Sequence, residues 1–141
     1  MKKLLFLFVI LFSTFIVGQF KITGYFDTKI GLTYQFNDRL QTELRVNDNL
    51  DIEFNSELSL LCTILSKKNY SLNFGIGIST FPFYSKNLAF FESYFLPFQI
   101  EIIPFKETMN LGIVLESAYH FSNSINTSGN RNSIGIRYIF I

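Results

Sequence analysis

One histidine and one cysteine occur among the 141 residues, so side chains able to do chemistry are few. His120 stands two positions before Ser122, with Phe121 between them and Asn123 after. On a β-strand, residues two apart project to the same face, which makes contact between the imidazole and the hydroxyl geometrically possible. No Asp or Glu follows His120 before the C-terminus, and Glu116 lies deeper on the same face. Cys62 and His120 are far apart and make no metal ligand set. Gly75-Ile76-Gly77 lacks the strand-to-helix setting of a nucleotide fingerprint and reads as close packing. We therefore expect neither metal nor cofactor.

The elements that would carry these residues follow from composition. Hydrophobic residues make up 48% of the chain and charged ones 16%, against about 25% charged in an average soluble domain. Phe occurs 18 times and the net charge is +1. That balance argues against a disordered chain and against a basic nucleic-acid binder. It points to a membrane. Met1-Lys2-Lys3, the apolar run Leu4 to Phe15 and the small residue in Ile16-Val17-Gly18 read as a secretory signal peptide over residues 1–18. The run is shorter than the roughly 18 to 25 residues of a membrane helix. Without Lys2 and Lys3 the formal charge becomes −1, and a lone Cys62 permits no intramolecular disulfide.

In residues 19–141, period 2 fits almost everywhere. Ser71, Asn73, Gly75, Gly77 and Ser79 alternate with Tyr70, Leu72, Phe74, Ile76 and Ile78. The same split between a small or polar face and an apolar one recurs around Lys29 to Phe36, Leu40 to Val46, Leu111 to His120 and Ile134 to Phe140. Turn signals divide the chain into eight candidate strands, at about 20–26, 28–36, 39–47, 52–66, 69–80, 93–105, 109–121 and 132–141. Tight connections (Asn37-Asp38, Lys67-Lys68, Lys106 to Thr108) contrast with the long stretches Phe81 to Glu92 and Ser122 to Arg131, the asymmetry of outer-membrane barrels. Ten residues at about 3.3 Å each, tilted about 45°, rise on the order of 24 Å, which matches a bilayer's apolar band. The expected fold is all-β: an eight-stranded antiparallel up-and-down transmembrane β-barrel after an N-terminal signal peptide.

Eight strands enclose an interior just wide enough for side chains. The polar face carries Glu43, Glu57, Glu101 and Glu116 with Lys21, Lys29, Arg45 and Arg137, four carboxylates and four cations able to neutralise one another as buried charges must. A filled, charge-paired lumen is expected rather than a pore. On the apolar face, Tyr34, Phe36, Tyr70, Tyr138 and Phe140 fall near the short-turn end, and Tyr94, Tyr119 and Phe121 near the long-loop end, as two aromatic girdles would. Cys62 shares the apolar face with Leu58, Leu60 and Ile64. Phe81, Phe83, Tyr84, Phe90 and Phe91 form the most functional-looking loop, a candidate contact for a partner or lipopolysaccharide. Alternation alone does not say which face points inward, so a soluble exported barrel holding an apolar ligand stands as an alternative.

The C-terminal run Ser133-Ile134-Gly135-Ile136-Arg137-Tyr138-Ile139-Phe140 resembles the closing strand of small outer-membrane β-barrel proteins of the Bacteroidetes type, and Leu96 to Phe105 resembles their penultimate hairpin. The resemblance covers roughly residues 70–141. It implies that Tyr138 and Phe140 signal to the barrel-insertion machinery, although Ile141 follows where the pattern ends on an aromatic. Locally, His120-Phe121-Ser122-Asn123 is similar to the active-site motif of lipid A deacylases, which are also eight-stranded barrels. That similarity would make Ser122 the nucleophile and His120 its general base, with amides near Asn123 stabilising the oxyanion. The family's acid after a Gly-containing loop is missing, because Gly129 is followed by Asn130, Arg131 and Asn132.

The expectation is a non-enzymatic barrel in the outer membrane of a Gram-negative cell, exported by a cleaved signal peptide. It would act structurally or through its outer loops. Its partners would be outer-membrane lipid, lipopolysaccharide and, during biogenesis, the insertion machinery; no nucleic acid is expected, and a monomer is. A lipid A-modifying hydrolase is the enzymatic alternative.

Overall fold

A computed structural model describes residues 18–47, 55–80, 91–105, 110–122 and 128–140, without the side chains of Phe91 and Ser122. The strands are β1 (Gln19–Tyr25), β2 (Lys29–Gln35), β3 (Leu40–Asn47), β4 (Ser56–Ser66), β5 (Tyr70–Thr80), β6 (Phe91–Ile102), β7 (Leu111–Ser122) and β8 (Gly129–Ile139). Each pairs antiparallel with the next, and β8 returns to β1 through Lys21↔Ile139 to Tyr25↔Gly135, closing the barrel. Closure removes the free sheet edges that would otherwise expose unpaired backbone groups. No helix among the described residues is long and apolar enough to cross a membrane.

Side chains alternate as the period-2 pattern requires. On β5, Asn73, Gly75, Gly77 and Ser79 are buried while Phe74, Ile76 and Ile78 are exposed. On β3, Gln41, Glu43 and Arg45 are buried and Leu44 is exposed. The polar face therefore points inward and the apolar face outward, which overturns the alternative of an apolar internal cavity. Leu61, Phe95, Val114 and Ile139 are large apolar exceptions inside. Ile76 is 62% and Leu60 46% exposed on the outer wall, where no aqueous surface would hold such a continuous apolar band. Cys62 is exposed on this wall.

Gly75 is fixed by close approach: a Cβ there would collide with the carbonyl oxygen of Leu60 on β4. At Gly77 the same space is filled by the inward ring of Phe95. Between Phe74↔Phe98 and Gly77↔Phe95 the β5–β6 ladder is interrupted, at the level of Pro97, which has no N–H to donate. β4 carries an irregularity between Thr63 and Leu65.

Observed strand ends correct the sequence limits where pairing outlasts turn chemistry. β8 begins at Gly129 rather than near 132, and β6 begins at Phe91 and stops at Ile102, just before Ile103-Pro104. The tight connections 36–39 and 67–69 lie at the end where β1 begins and β8 finishes. The opposite end also holds one tight turn, Phe26–Thr28, in which Thr28 adopts a positive φ of 64° and donates Oγ1–H to the Asp27 carbonyl at 2.7 Å. Of the expected girdle residues, Tyr70, Tyr138 and Phe140 at one end and Tyr94, Tyr119 and Phe121 at the other are exposed. Tyr34 is not; it is 5% exposed, between the rings of Phe20 and Phe36 at 4.8 and 4.9 Å. Residues 1–17, Phe81, Phe83, Tyr84 and Phe90 lie outside the described residues, as do the side chains of Phe91 and Ser122.

Candidate functional site

The interior is organised around Glu43 and Arg45, which share the inward face because they stand two apart on β3. Glu43 is fully buried. It accepts from Tyr25 Oη at 2.6 Å, Gln99 Nε2 at 2.8 Å and Arg45 at 3.2 Å. Arg45 in turn crosses the lumen to Glu116 on β7, with Nη1 at 2.6 Å from Oε1 and Nη2 on Oε2. Its guanidinium lies over the Tyr25 ring, 4.8 Å from the centroid. Gln99 donates the same Nε2 amide to Glu116 at 2.7 Å.

From this centre the charges continue both ways with alternating sign. Toward the short-turn end, Arg137 reaches Glu43 at 3.4 Å and Glu101 at 2.7 Å, and its Nε donates to Thr23 Oγ1 at 2.7 Å. Lys21 then meets Glu101 at 3.1 Å. Toward the opposite end, Glu116 holds Arg131 at 3.1 Å, Arg131 also pairs with Glu57, and Lys29 meets Glu57 at 2.8 Å. The result is one continuous chain of ion pairs: Lys21, Glu101, Arg137, Glu43, Arg45, Glu116, Arg131, Glu57, Lys29. Each buried charge has an opposite neighbour, the condition under which burial is tolerable.

All eight charges expected in the lumen thus come together. Turn signals in the sequence place Arg131, which links Glu116 to Glu57, in a loop, and Glu92 likewise. Glu92 accepts from Asn55 Nδ2 at 2.7 Å and Ser79 Oγ at 2.6 Å. Inward parity on β8 with Ser133, Gly135 and Arg137 is the signal that identifies Arg131.

Above the ion pairs, at the end opposite the start of β1 and the finish of β8, the lumen opens into a cavity of about 440 Å³ lined by Lys29, Asn55, Glu57, Ser79, Glu92, Ser93, His120 and Arg131. His120 stacks on Phe95, with ring centroids 5.0 Å apart. Its Nδ1 lies 3.4 Å from Ser93 Oγ, and its Nε2 has no hydrogen-bond partner among the described residues. Glu116 does not orient the ring, because both its oxygens are engaged by Arg45, Gln99 and Arg131. The backbone of Ser122 pairs with Ser93. Among the described residues no three His, Cys, Asp or Glu side chains are grouped to hold a metal.

No known family model and no curated protein matches the chain by sequence. Among solved structures it is similar to the N-terminal β-barrel domain of Pseudomonas aeruginosa OprF, with a TM-score of 0.51 and 10% identity over 87% of this chain and 95% of that one. It also matches the Yersinia pestis outer membrane protein Ail, with a TM-score of 0.45 and 15% identity over 87% of this chain and 99% of that one. At such identities the likeness is one of fold, and it agrees with the closed topology: the chain is an eight-stranded antiparallel β-barrel.

Proposed function

We propose that the protein is a small, non-enzymatic outer-membrane barrel with a plugged lumen, of the Bacteroidetes type that its last strand resembles. It is exported by a signal peptide removed after Gly18, spans the membrane with its apolar wall against lipid, and acts through that wall and its outer loops, with lipopolysaccharide as the neighbouring surface. Tyr138 and Phe140 serve the insertion machinery. One observation carries this reading: ion pairs run from Lys21 to Lys29 through the interior while the exterior is a band of exposed Ile, Leu and aromatic side chains. Transport through such a lumen would require breaking several buried pairs at once, each costly when half-broken. A porin-like pathway is therefore not part of the proposal.

Cell fractionation tests it. The protein should enter the outer-membrane fraction, and the unboiled, detergent-extracted form should migrate differently from the boiled one. In planar bilayers it should show no steady open channel. Recovery in the soluble periplasmic fraction without detergent would overturn the proposal.

A further inference from the structure

The outward wall is apolar apart from Thr42, Ser56 and Thr80, whose hydroxyls are hydrogen-bonded, and a polar site on β7 and β8 near the loop end. There Ser117 stands directly opposite Asn132, both exposed. The pair lies one outward step above Leu115↔Ile134 and one below Tyr119↔Asn130, so a hydroxyl and an amide sit just beneath the outer aromatic level. Neither side chain has a hydrogen-bond partner among the described residues. The backbone of Asn132 is in the same condition. Pairing with β1 ends at Tyr25↔Gly135, and the last bond on that side runs from Phe26 N–H to the Ile134 carbonyl at 2.9 Å. By the two-residue alternation of an antiparallel ladder, the N–H and C=O of Asn132 point to the same side, beyond the end of β1. Next to these groups is a concavity of about 390 Å³ walled by Phe98, Ile100, Leu115 and Ile134.

We propose that this β7–β8 wall is a self-association surface whose occupant is a second copy of the chain. The proposal rests on the membrane reading above. A carboxamide carries both donor and acceptor, so Asn132 is complementary to the same residue of a second copy across a two-fold axis along the membrane normal. Such an axis makes an isologous contact in which one patch meets itself. An acyl chain offers these groups no partner, and small or amide-bearing residues drive association between membrane segments where apolar burial gives no net force. The outward positions of β7 and β8 from Leu111 to Phe121 and from Asn130 to Tyr138 hold no charged side chain, so two copies approach without like-charge repulsion. The proposal is thus a dimer where the sequence reading expects a monomer.

The test uses the full mature chain in phosphatidylcholine vesicles. Ser117→Cys in a Cys62→Ser background keeps Asn132 and places a thiol beside it; Ile76→Cys in the same background marks the wall on β5, outside the proposed contact. Each variant is first checked for the shift on boiling, so failure of the barrel reading shows there. On oxidation Ser117→Cys should give about tenfold more disulfide-linked dimer than Ile76→Cys, and adding Asn132→Leu should remove the excess. Equal yields from both walls, or a dimer that survives Asn132→Leu, would overturn the proposal. So would loss of the dimer on adding lipopolysaccharide to the vesicles, because the amide would then serve lipid.

Discussion

Arg45 reaches across the lumen to Glu116, from β3 to β7, and holds both carboxylate oxygens with its two terminal nitrogens. The pair links opposite walls of the barrel, and each member is almost completely buried. Removing one partner leaves a charge uncompensated in the interior, a loss of about 3–5 kcal/mol. Glu116→Met or Arg45→Met should therefore destabilise the folded band strongly in urea titrations read by migration on gels. The double replacement Arg45→Met with Glu116→Met should recover part of that loss, because neither buried charge is then stranded. A double variant as weak as the sum of the singles would show that the pair is not coupled.

Gly75 and Gly24 give a matched contrast. A methyl group at Gly75 meets the Leu60 carbonyl, whereas one at Gly24 meets nothing within 4 Å. Gly75→Ala should abolish or greatly reduce the heat-shifted form, and Gly24→Ala should leave its yield unchanged. Equal yields would mean that β4 and β5 do not approach as closely as described.

The outer wall predicts a depth dependence. Arg in place of Ile76 or Leu60, both in the middle of the apolar band, should cost about 2–4 kcal/mol, and Arg in place of Phe26 at the loop-end turn about 0–1 kcal/mol. Folding titrations into vesicles of defined lipid measure the difference. Indifference to position would be incompatible with a wall that faces lipid.

His120 and Ser122 supply a test of the non-enzymatic reading. The imidazole faces Ser93 and the Phe95 ring, and no acid among the described residues hydrogen-bonds to it. Mass spectrometry of lipid A from cells carrying His120→Ala or Ser122→Ala should match that from cells with the unaltered protein. Altered acylation in either strain would restore the hydrolase alternative.

Strand number and face were legible because a polar lumen and an apolar wall impose strict period 2, as in Asn73 to Ser79 against Phe74 to Ile78. Which charge meets which was not. Arg45 and Glu116 are 71 positions apart, and their meeting depends on the stagger of the intervening strands, which no local pattern encodes. Arg131 was hidden for a different reason. Gly129-Asn130-Arg131-Asn132 has turn chemistry, yet pairing with β7 continues through Ala118↔Arg131 to His120↔Gly129, so tertiary pairing overrides local preference. Tyr34 has the parity of a girdle residue but is covered by neighbouring rings, and alternation reports the side a residue faces, not what lies against it.

The most direct test of a polar-inside, lipid-facing barrel is quenching of a fluorophore on single cysteines in the Cys62→Ser chain, reconstituted in vesicles. At Ile76 the label should be quenched strongly by lipids brominated along their acyl chains and weakly by iodide. At Lys68, in the connection between β4 and β5, the order should reverse. A label at Ile76 reached by iodide as readily as the one at Lys68 would contradict the account.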